Sequence, residues 1–377
     1  MLKNKFWGLA IIAGVIASLL LVVAQIPATH TTVKNLPLAV VNEDNGPVSA
    51  TMVTKLENFT TTGGKNATTI KWTTVKSTKV LKKAMDHQKY YGALIIKSGF
   101  SADVATLATK KPTQPTVNIV INQGKNATIA TAVTTLFNKL LTSFNTAIAT
   151  QVLASFTAQN QAVPATIATN LLQPIKATTI VSHETSAKPT AAASFFQPLW
   201  IGSLLAGVML FLAGREFGWH NSRKRFYATG LQVIIAGVTA LILGFSTTSF
   251  TTWIMDYHYD NYLTLALYAS LAAFAFINLV LGVLSWTGMA GIPLFALMML
   301  FALPILQLAP EMLTYFYKSW VYPWLPMRFL LDGTRGIIYY HASFWTHTTV
   351  GLIWVMLSGL LLLVLKNLMP KSKNKLA

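Results

Sequence analysis

The chain has 377 residues, of which 53% are hydrophobic and 11% are charged, and its net charge is +18. Soluble globular proteins carry about 25% charged residues, so this composition excludes an ordinary soluble domain and indicates a membrane protein. Cysteine is absent, which excludes disulfides, cysteine-bound metals and a thiol nucleophile.

The basic residues fall into two groups. Residues 27–194 carry lysines and no arginine, and most of the other basic residues flank apolar runs. A lysine-coated surface and positive flanks of membrane spans explain this distribution better than nucleic-acid binding does. We therefore expect membrane lipid, and no nucleic acid, as a partner.

Six apolar runs approach the ~20 residues that a helix needs to cross a bilayer. They predict an all-α membrane protein with six transmembrane helices. The first run is longer than a signal-peptide core of roughly 7–15 residues, which favours an uncleaved anchor over residues 1–26; a signal peptide cleaved after Ala24 is the alternative. The runs are Phe6–Ile26, Phe195–Ala213, Leu231–Phe250, Leu263–Trp286, Ile292–Ala309 and Thr348–Lys366.

Residues 27–194 form a polar region whose patterns predict an α+β domain inserted between the first two membrane helices. Short apolar or alternating runs predict four strands, and helical periodicity separates them, so a small sheet covered by helices is expected. The predicted strands are Leu36–Val41, Thr69–Val75, Tyr91–Ile96 and Thr116–Ile121, and the predicted short helices are Val48–Phe59, Ser77–Gln88 and Ser101–Thr109.

A long helix is predicted over Thr128–Gln159, with an apolar stripe at spacings of three and four that lies on one face. The stripe either packs on its own domain or forms a contact with a partner or with a second copy of the chain, and the sequence leaves both open. Its central members are Val133, Phe137, Leu140, Phe144, Ile148 and Val152.

Residues 195–366 form a predicted block of five membrane helices, followed by a basic tail at 367–377. The loop after the first of these helices carries four basic residues and one acid. By the positive-inside rule, this loop and both termini lie in the cytoplasm, and residues 27–194 lie outside the plasma membrane. The aromatic segment Glu311–His347 is then predicted at the outer headgroup level. The charged loop residues are Arg215, Glu216, Arg223, Lys224 and Arg225.

Catalytic and cofactor motifs are missing from the sequence. No GxxxxGK[ST] loop, HExxH motif or GxSxG turn occurs, and the cores of the six runs contain no ionisable residue. We expect no enzyme activity, no catalytic residue, no cofactor and no metal. A buried proton or ion path is also disfavoured.

Three segments carry a resemblance to a known family: Leu38–Gly46 (LAVVNEDNG), Tyr91–Asp103 (YGALIIKSGFSAD) and Leu325–Gly336 (LPMRFLLDGTRG). Together with the five C-terminal spans, they resemble the YhgE/Pip (phage-infection-protein-like) family, which is similar to type-2 ABC exporter permeases. Fungal nitrosoguanidine-resistance proteins are similar in layout.

The resemblance implies a permease-like subunit, in a homodimer, that exports a hydrophobic or cell-envelope compound. A separate ABC ATPase would dock on the coupling loop formed by the five charged residues from Arg215 to Arg225. The alternative is a non-transporting surface receptor or a scaffold of a secretion complex that acts through the outer domain and its apolar stripe.

Overall fold

The computed structural model describes residues 33–62, 68–109, 111–185, 188–216 and 222–369, together with residues 15, 19, 22, 23, 25 and 26. The chain divides into two compact units, which we call the sheet unit (Thr32–Ser186) and the helical unit (Met1–Thr31 together with Ala187–Ala377). Most of the predicted anchor Phe6–Ile26 and most of the basic tail lie outside the described residues.

The sheet unit is built on a six-stranded mixed sheet in the order β2-β3-β1-β4-β5-β6. β1 is parallel to both β3 and β4, and β5 is parallel to β6, whereas β2–β3 and β4–β5 are antiparallel. The strands are β1 (Leu36–Asn42), β2 (Thr61–Thr62), β3 (Thr68–Thr74), β4 (Gly92–Ile96), β5 (Thr116–Asn122) and β6 (Lys176–Ser182).

Helices alternate with the strands along the chain and cover the sheet. Because parallel neighbours predominate, the arrangement is α/β, not the predicted α+β. Both faces of the central strands β1 and β4 are covered, which explains why these strands read as continuous apolar runs. The helices are α1 (Pro47–Asn58), α2 (Thr78–Asp86), α3 (Phe100–Thr106), α4 (Ala127–Ala158) and α5 (Ala165–Leu171).

The long helix α4 packs directly on the sheet. A Cβ built on Gly92 of β4 would lie 2.8 Å from side-chain atoms of both Phe137 and Val133, so the helix and the strand are in close contact. The Phe137 ring also lies 6.1 Å from the ring of Trp72 on β3. The N-terminal half of α4 is thus part of the core of the sheet unit.

Strand β6 was not predicted from the sequence. It is an edge strand whose residues are mostly exposed, including Ile180 (43%) and Val181 (46%). Without a buried face it shows no alternation of apolar and polar residues, and its stability comes from pairing with β5.

From Ala187 onward, the described residues of the helical unit form seven α-helices. They are α6 (Ala191–Ser194), α7 (Phe196–Glu216), α8 (Ser222–Met255), α9 (Tyr262–Thr287), α10 (Ile292–Gln307), α11 (Met327–Tyr340) and α12 (His347–Leu368). Four stretches of the described residues are long and apolar enough to cross a membrane: Ala191–Arg215, Lys224–Met255, Tyr262–Gln307 and His347–Leu368.

The stretch Tyr262–Gln307 contains two of the predicted runs, because α9 and α10 are joined only by the 3-10 turn Gly288–Gly291. Helix α10 has 16 residues with Pro304 inside it. At 1.5 Å per residue it is about 24 Å long, shorter than the ~30 Å hydrocarbon core. The prediction of six spans therefore depends on this short helix and on the anchor, which lies largely outside the described residues.

Helix α9 lies at the centre of the helical unit, and its small residues allow close packing. A Cβ built on Gly359 of α12 would lie 2.4 Å from the backbone C and O atoms of Asn278, so the backbones of α9 and α12 are in contact. Trp286 of α9 also donates its Nε1–H to Leu362 O at 2.9 Å. Such small-residue contacts are typical of membrane helix pairs, and here they hold the C-terminal halves of α9 and α12 together.

The predicted outer aromatic segment is only partly exposed. Helix α11 buries Leu330, Ile337 and Tyr339 in the core of the helical unit, and Arg335 pairs with Asp332 at 3.1 Å. Large aromatic side chains on either side of this helix are exposed, as expected of residues that face a lipid headgroup layer. They are Phe316, Trp320, Trp324 and Trp345.

Candidate functional site

A cavity of about 450 Å³, here called the basic cavity, lies among the ends of four long helices. The C-terminal turns of α7, α9 and α12 and the N-terminal turns of α8 surround it. Among the described residues, its lining includes the cations Arg215, Arg225 and Lys366 and no acidic residue. Four uncharged polar residues also line it, namely Thr229, Gln232, Ser285 and Asn367, with apolar walls from Phe211, Leu281 and Leu363.

The polar residues of the basic cavity tie its helices together. Gln232 of α8 donates its Nε2–H to Leu210 O of α7 at 2.7 Å. Asn367 of α12 donates its Nδ2–H to Thr229 Oγ1 of α8 at 2.8 Å. These bonds cross between helices and fix the spacing of the cavity walls.

Two of the three cations make contacts that hold them beside the cavity. Arg225 donates from Nη1 to Met369 O at 3.2 Å, and Lys366 Nζ lies 5.3 Å from the centre of the Trp286 ring. Arg215, in the last turn of α7, is exposed at the cavity. All three therefore reach the same space from different helices.

Over the residues that the structure describes, the electrostatic balance of the basic cavity is positive. A helix C-terminus carries a partial charge of about −0.5 and an N-terminus about +0.5. Three C-termini and one N-terminus contribute roughly −1 in total, which three full cations outweigh. The cavity is therefore electrostatically suited to an anion.

Of the five residues of the predicted coupling loop, the structure shows two at the basic cavity. Arg215 and Arg225 line the basic cavity, and Lys224 is exposed and does not line it. The side chains of Glu216 and Arg223, and all of residues 217–221, lie outside the described part of the chain. Docking of an ATPase on this loop stays a prediction. Lys366 was missed as a site residue; the positive-inside pattern placed it on the same membrane side as Arg215.

The predicted apolar stripe packs mainly on its own domain. Val133 and Phe137 are fully buried and Ile148 and Val152 are buried, whereas Leu140 and Phe144 are half-buried. Phe144 and Ile148 border a second cavity of about 320 Å³, which Met52 of α1 and Phe100 of α3 also line. Packing within the sheet unit therefore accounts for most of the stripe. A contact with a partner or with a second copy of the chain, through the remaining exposed surface, stays a prediction.

A buried carboxylate joins two of the segments that carried the family resemblance. Asp44, after β1, accepts hydrogen bonds at Oδ2 from Ser101 Oγ (2.6 Å), Ser101 N (3.2 Å) and Gly46 N (3.1 Å). Its Oδ1 accepts from Gly99 N at 3.1 Å. We call this group the Asp44 clamp. A Cβ on Gly46 would lie 2.2 Å from Ser101 Cβ, so only glycine fits there.

The Asp44 clamp has a structural role, because all its donors come from the protein itself. Burial raises the pKa of Asp44, but hydrogen bonds from the hydroxyls of Ser101 and Ser49 and from the backbone N–H groups of Gly46 and Ser101 lower it more, and the net pKa lies below its ordinary value. The carboxylate therefore stays ionised and holds the β1–α1 loop against the β4–α3 loop.

The structure also brings together a serine, a histidine and an aspartate that sequence reasoning did not connect. Ser182 Oγ lies 2.7 Å from His183 Nδ1, and His183 Nε2 lies 3.1 Å from Asp86 Oδ1. However, Asn122 Oδ1 lies 3.2 Å from the same Nδ1, while Asn122 Nδ2 donates to Met85 O and Tyr90 O. A proton on Nδ1 that bonds to Asn122 prevents this nitrogen from acting as the base for Ser182. The cluster joins β5, β6 and α2, and we assign it no catalytic role.

Comparisons with known proteins give two matches. A family profile described as "protein of unknown function (DUF3533)" matches residues 8–360. A search of curated proteins found no match. A crystal structure of a domain described as part of an ABC type-2 transporter from Thermotoga maritima MSB8 aligns with 38% of this chain and 84% of that chain, at 17% identity and a TM-score of 0.26. The resemblance to YhgE/Pip stays a prediction. Because the profile spans most of its length, the chain belongs to the DUF3533 family.

Proposed function

We propose that this chain is the permease-like membrane subunit of an exporter that moves a hydrophobic or cell-envelope amphiphile out of the cell. The observation that carries the proposal is the basic cavity, in which charged, polar and apolar groups from four apolar helices face one space. Its volume of about 450 Å³ lies within the range of roughly 300–1,000 Å³ that is usual for small-molecule sites.

The absence of charge elsewhere in the helices supports an amphiphile as cargo. The four candidate spans carry Lys, Arg, Asp or Glu only near their ends. Ion and proton paths normally need ionisable groups at membrane depth, whereas an amphiphile can keep its apolar part between apolar helices. The polar end of the cargo would occupy the basic cavity.

The remaining parts of the proposal concern topology and assembly. Six spans would place residues 27–194 outside the plasma membrane and both termini in the cytoplasm. A separate ABC ATPase would dock near Arg215–Arg225, and two copies of the chain would form the complete transporter. The basic ends of the helices support this orientation through the positive-inside rule.

The orientation is testable because the chain has no cysteine of its own. Lys79 in the sheet unit and Lys224 in the helical unit are both exposed, so each can be replaced by cysteine and labelled with a membrane-impermeant maleimide. Lys79→Cys should react in intact cells, and Lys224→Cys only after permeabilisation. The reverse pattern would overturn the orientation.

Export itself is tested by measuring how much of a fluorescent amphiphile cells accumulate. Cells that lack the chain should accumulate severalfold more than cells that carry it, and depletion of ATP should remove the difference. Equal accumulation with and without the chain, over a panel of neutral and anionic amphiphiles, would overturn the proposed function.

A receptor or scaffold function is the second candidate, supported by the 320 Å³ cavity beside half-buried Phe144. Deleting the whole of α4 does not test it, since Val133 and Phe137 belong to the core of the sheet unit. Phe144→Asp instead changes one half-buried side chain at this cavity and leaves Val133 and Phe137 in place. If this variant loses a phenotype in cells where the wild-type chain produces no efflux, a receptor or scaffold function replaces export.

A further inference from the structure

The basic cavity has more specific chemistry than a positive membrane flank requires. The positive-inside rule demands basic residues on one side of the bilayer, and scattered surface lysines satisfy it. Here Arg215, Arg225 and Lys366 come from three helices and reach one cavity, and none of the described residues that line it is acidic. Such convergence is expected of a site that binds an anion.

We infer that the basic cavity binds the phosphate monoester headgroup of an amphiphile. The inference rests on the proposed function, since it assigns the cargo to a chemical class. A phosphate monoester carries a charge of about −1.5 to −2 near neutral pH and offers three acceptor oxygens. Two guanidinium groups and one ammonium group match that charge and supply several donors.

A hydroxyl of the lining adds a neutral donor. Thr229 Oγ1 accepts its hydrogen bond from Asn367, so its own O–H remains to donate, and no acceptor for it occurs among the described residues. Charged groups with fixed neutral donors beside them bind phosphate with defined geometry. The polar part of the lining thus fits a phosphate group.

The apolar walls favour a lipid headgroup over free phosphate. Phe211, Leu281 and Leu363 line the same cavity as the cations. An inorganic phosphate ion would leave these walls in contact with water, whereas the first carbon atoms of a lipid would cover them. A phosphocholine group is disfavoured, because its ammonium would enter a space that already holds three cations.

The test is a thermal melting series on the purified full-length chain in an uncharged detergent. The probes are dioctanoyl phosphatidic acid, dioctanoyl phosphatidylcholine with the same tails, and inorganic phosphate. Phosphatidic acid should raise the melting temperature, and the other two at equal concentration should not. The shift should decrease as salt is added, because ions screen charge–charge attraction.

The double variant Arg215→Gln/Lys366→Gln tests the assignment to these residues. Both side chains are exposed, so the fold should persist, and the melting temperature without lipid checks it. Losing hydrogen bonds to charged groups should weaken the apparent Kd for phosphatidic acid at least about tenfold. Lys318→Gln is the matched control, because Lys318 is also exposed and does not line the cavity.

Each alternative outcome identifies a different failure. Equal shifts from both lipids, or an undiminished shift in the double variant, would overturn the inference. Equal shifts from inorganic phosphate and phosphatidic acid would establish a free-anion site and overturn the headgroup assignment. Because melting does not depend on transport, a phosphatidic acid shift in a chain without efflux would refute the proposed function and leave the binding site standing.

Discussion

A carboxylate in the sheet unit and three cations in the helical unit differ in the groups that surround them. In the Asp44 clamp of the sheet unit, one carboxylate accepts four hydrogen bonds from protein donors. In the helical unit, three cations line a cavity of about 450 Å³, and no acid occurs among the lining residues that the structure describes. A carboxylate whose oxygens are occupied by donors of its own chain stabilises the fold, whereas cations that line a cavity can also contact a ligand there.

The largest effect should come from removing the clamp. Asp44→Ala leaves the N–H groups of Gly46, Gly99 and Ser101 without their acceptor, which should cost about 3 kcal/mol or more of unfolding free energy. Urea-dependent proteolysis of the full chain, read at cleavage sites in the sheet unit, measures this change. Glu57→Ala is the control: Glu57 is exposed and accepts one bond from Thr74, so its loss should cost under about 1 kcal/mol. Equal effects would contradict a structural role specific to Asp44.

The close contact between α9 and α12 stabilises the helical unit, as the Asp44 clamp stabilises the sheet unit. Gly359→Val places side-chain atoms against the backbone of Asn278, and we expect a loss of about 1–3 kcal/mol in stability. Because the α9–α12 contact also holds two walls of the basic cavity, the melting shift with phosphatidic acid should disappear as well. Ser358→Val, on the exposed neighbour, should keep both. A normal lipid shift in Gly359→Val would show that the cavity does not depend on this contact.

Acid should weaken the clamp in a predictable direction. The pKa of Asp44 is lower in the folded chain than its ordinary value of 3.8, so its contribution to stability is present above that value and is lost as the pH falls through the folded pKa. The sheet unit should therefore lose stability below about pH 4, and Asp44→Asn should flatten that part of the profile. An unchanged acid slope in the variant would assign the loss to other carboxylates.

Sequence patterns predicted the elements of the sheet unit better than their arrangement. The strands at Leu36, Thr69, Tyr91 and Thr116 were found because they are buried or alternating, while exposed β6 left no signal. Which strands pair, and in which direction, depends on contacts that no local pattern records, so the α/β class was missed. The Asp44–Ser101 contact could not be predicted for the same reason, because it joins residues that are 57 positions apart in the sequence.

In the helical unit, the sequence likewise predicted the helices but not the basic cavity that they form. Apolar length predicted the four candidate spans, and the charge pattern placed Arg215, Arg225 and Lys366 on one side of the membrane. Their convergence on one cavity follows from the packing of four helices, including the close contact at Gly359, which pattern reasoning cannot supply.

The most direct test of the account is the outward movement of a fluorescent short-chain phosphatidic acid from the inner leaflet of living cells, with phosphatidylcholine of the same chains for comparison. In cells that carry the wild-type chain or Lys318→Gln, we predict that phosphatidic acid leaves severalfold faster than phosphatidylcholine. In cells that carry Arg215→Gln/Lys366→Gln, its rate should fall to that of cells without the chain. Phosphatidic acid that leaves at the same rate with and without the chain would contradict the account.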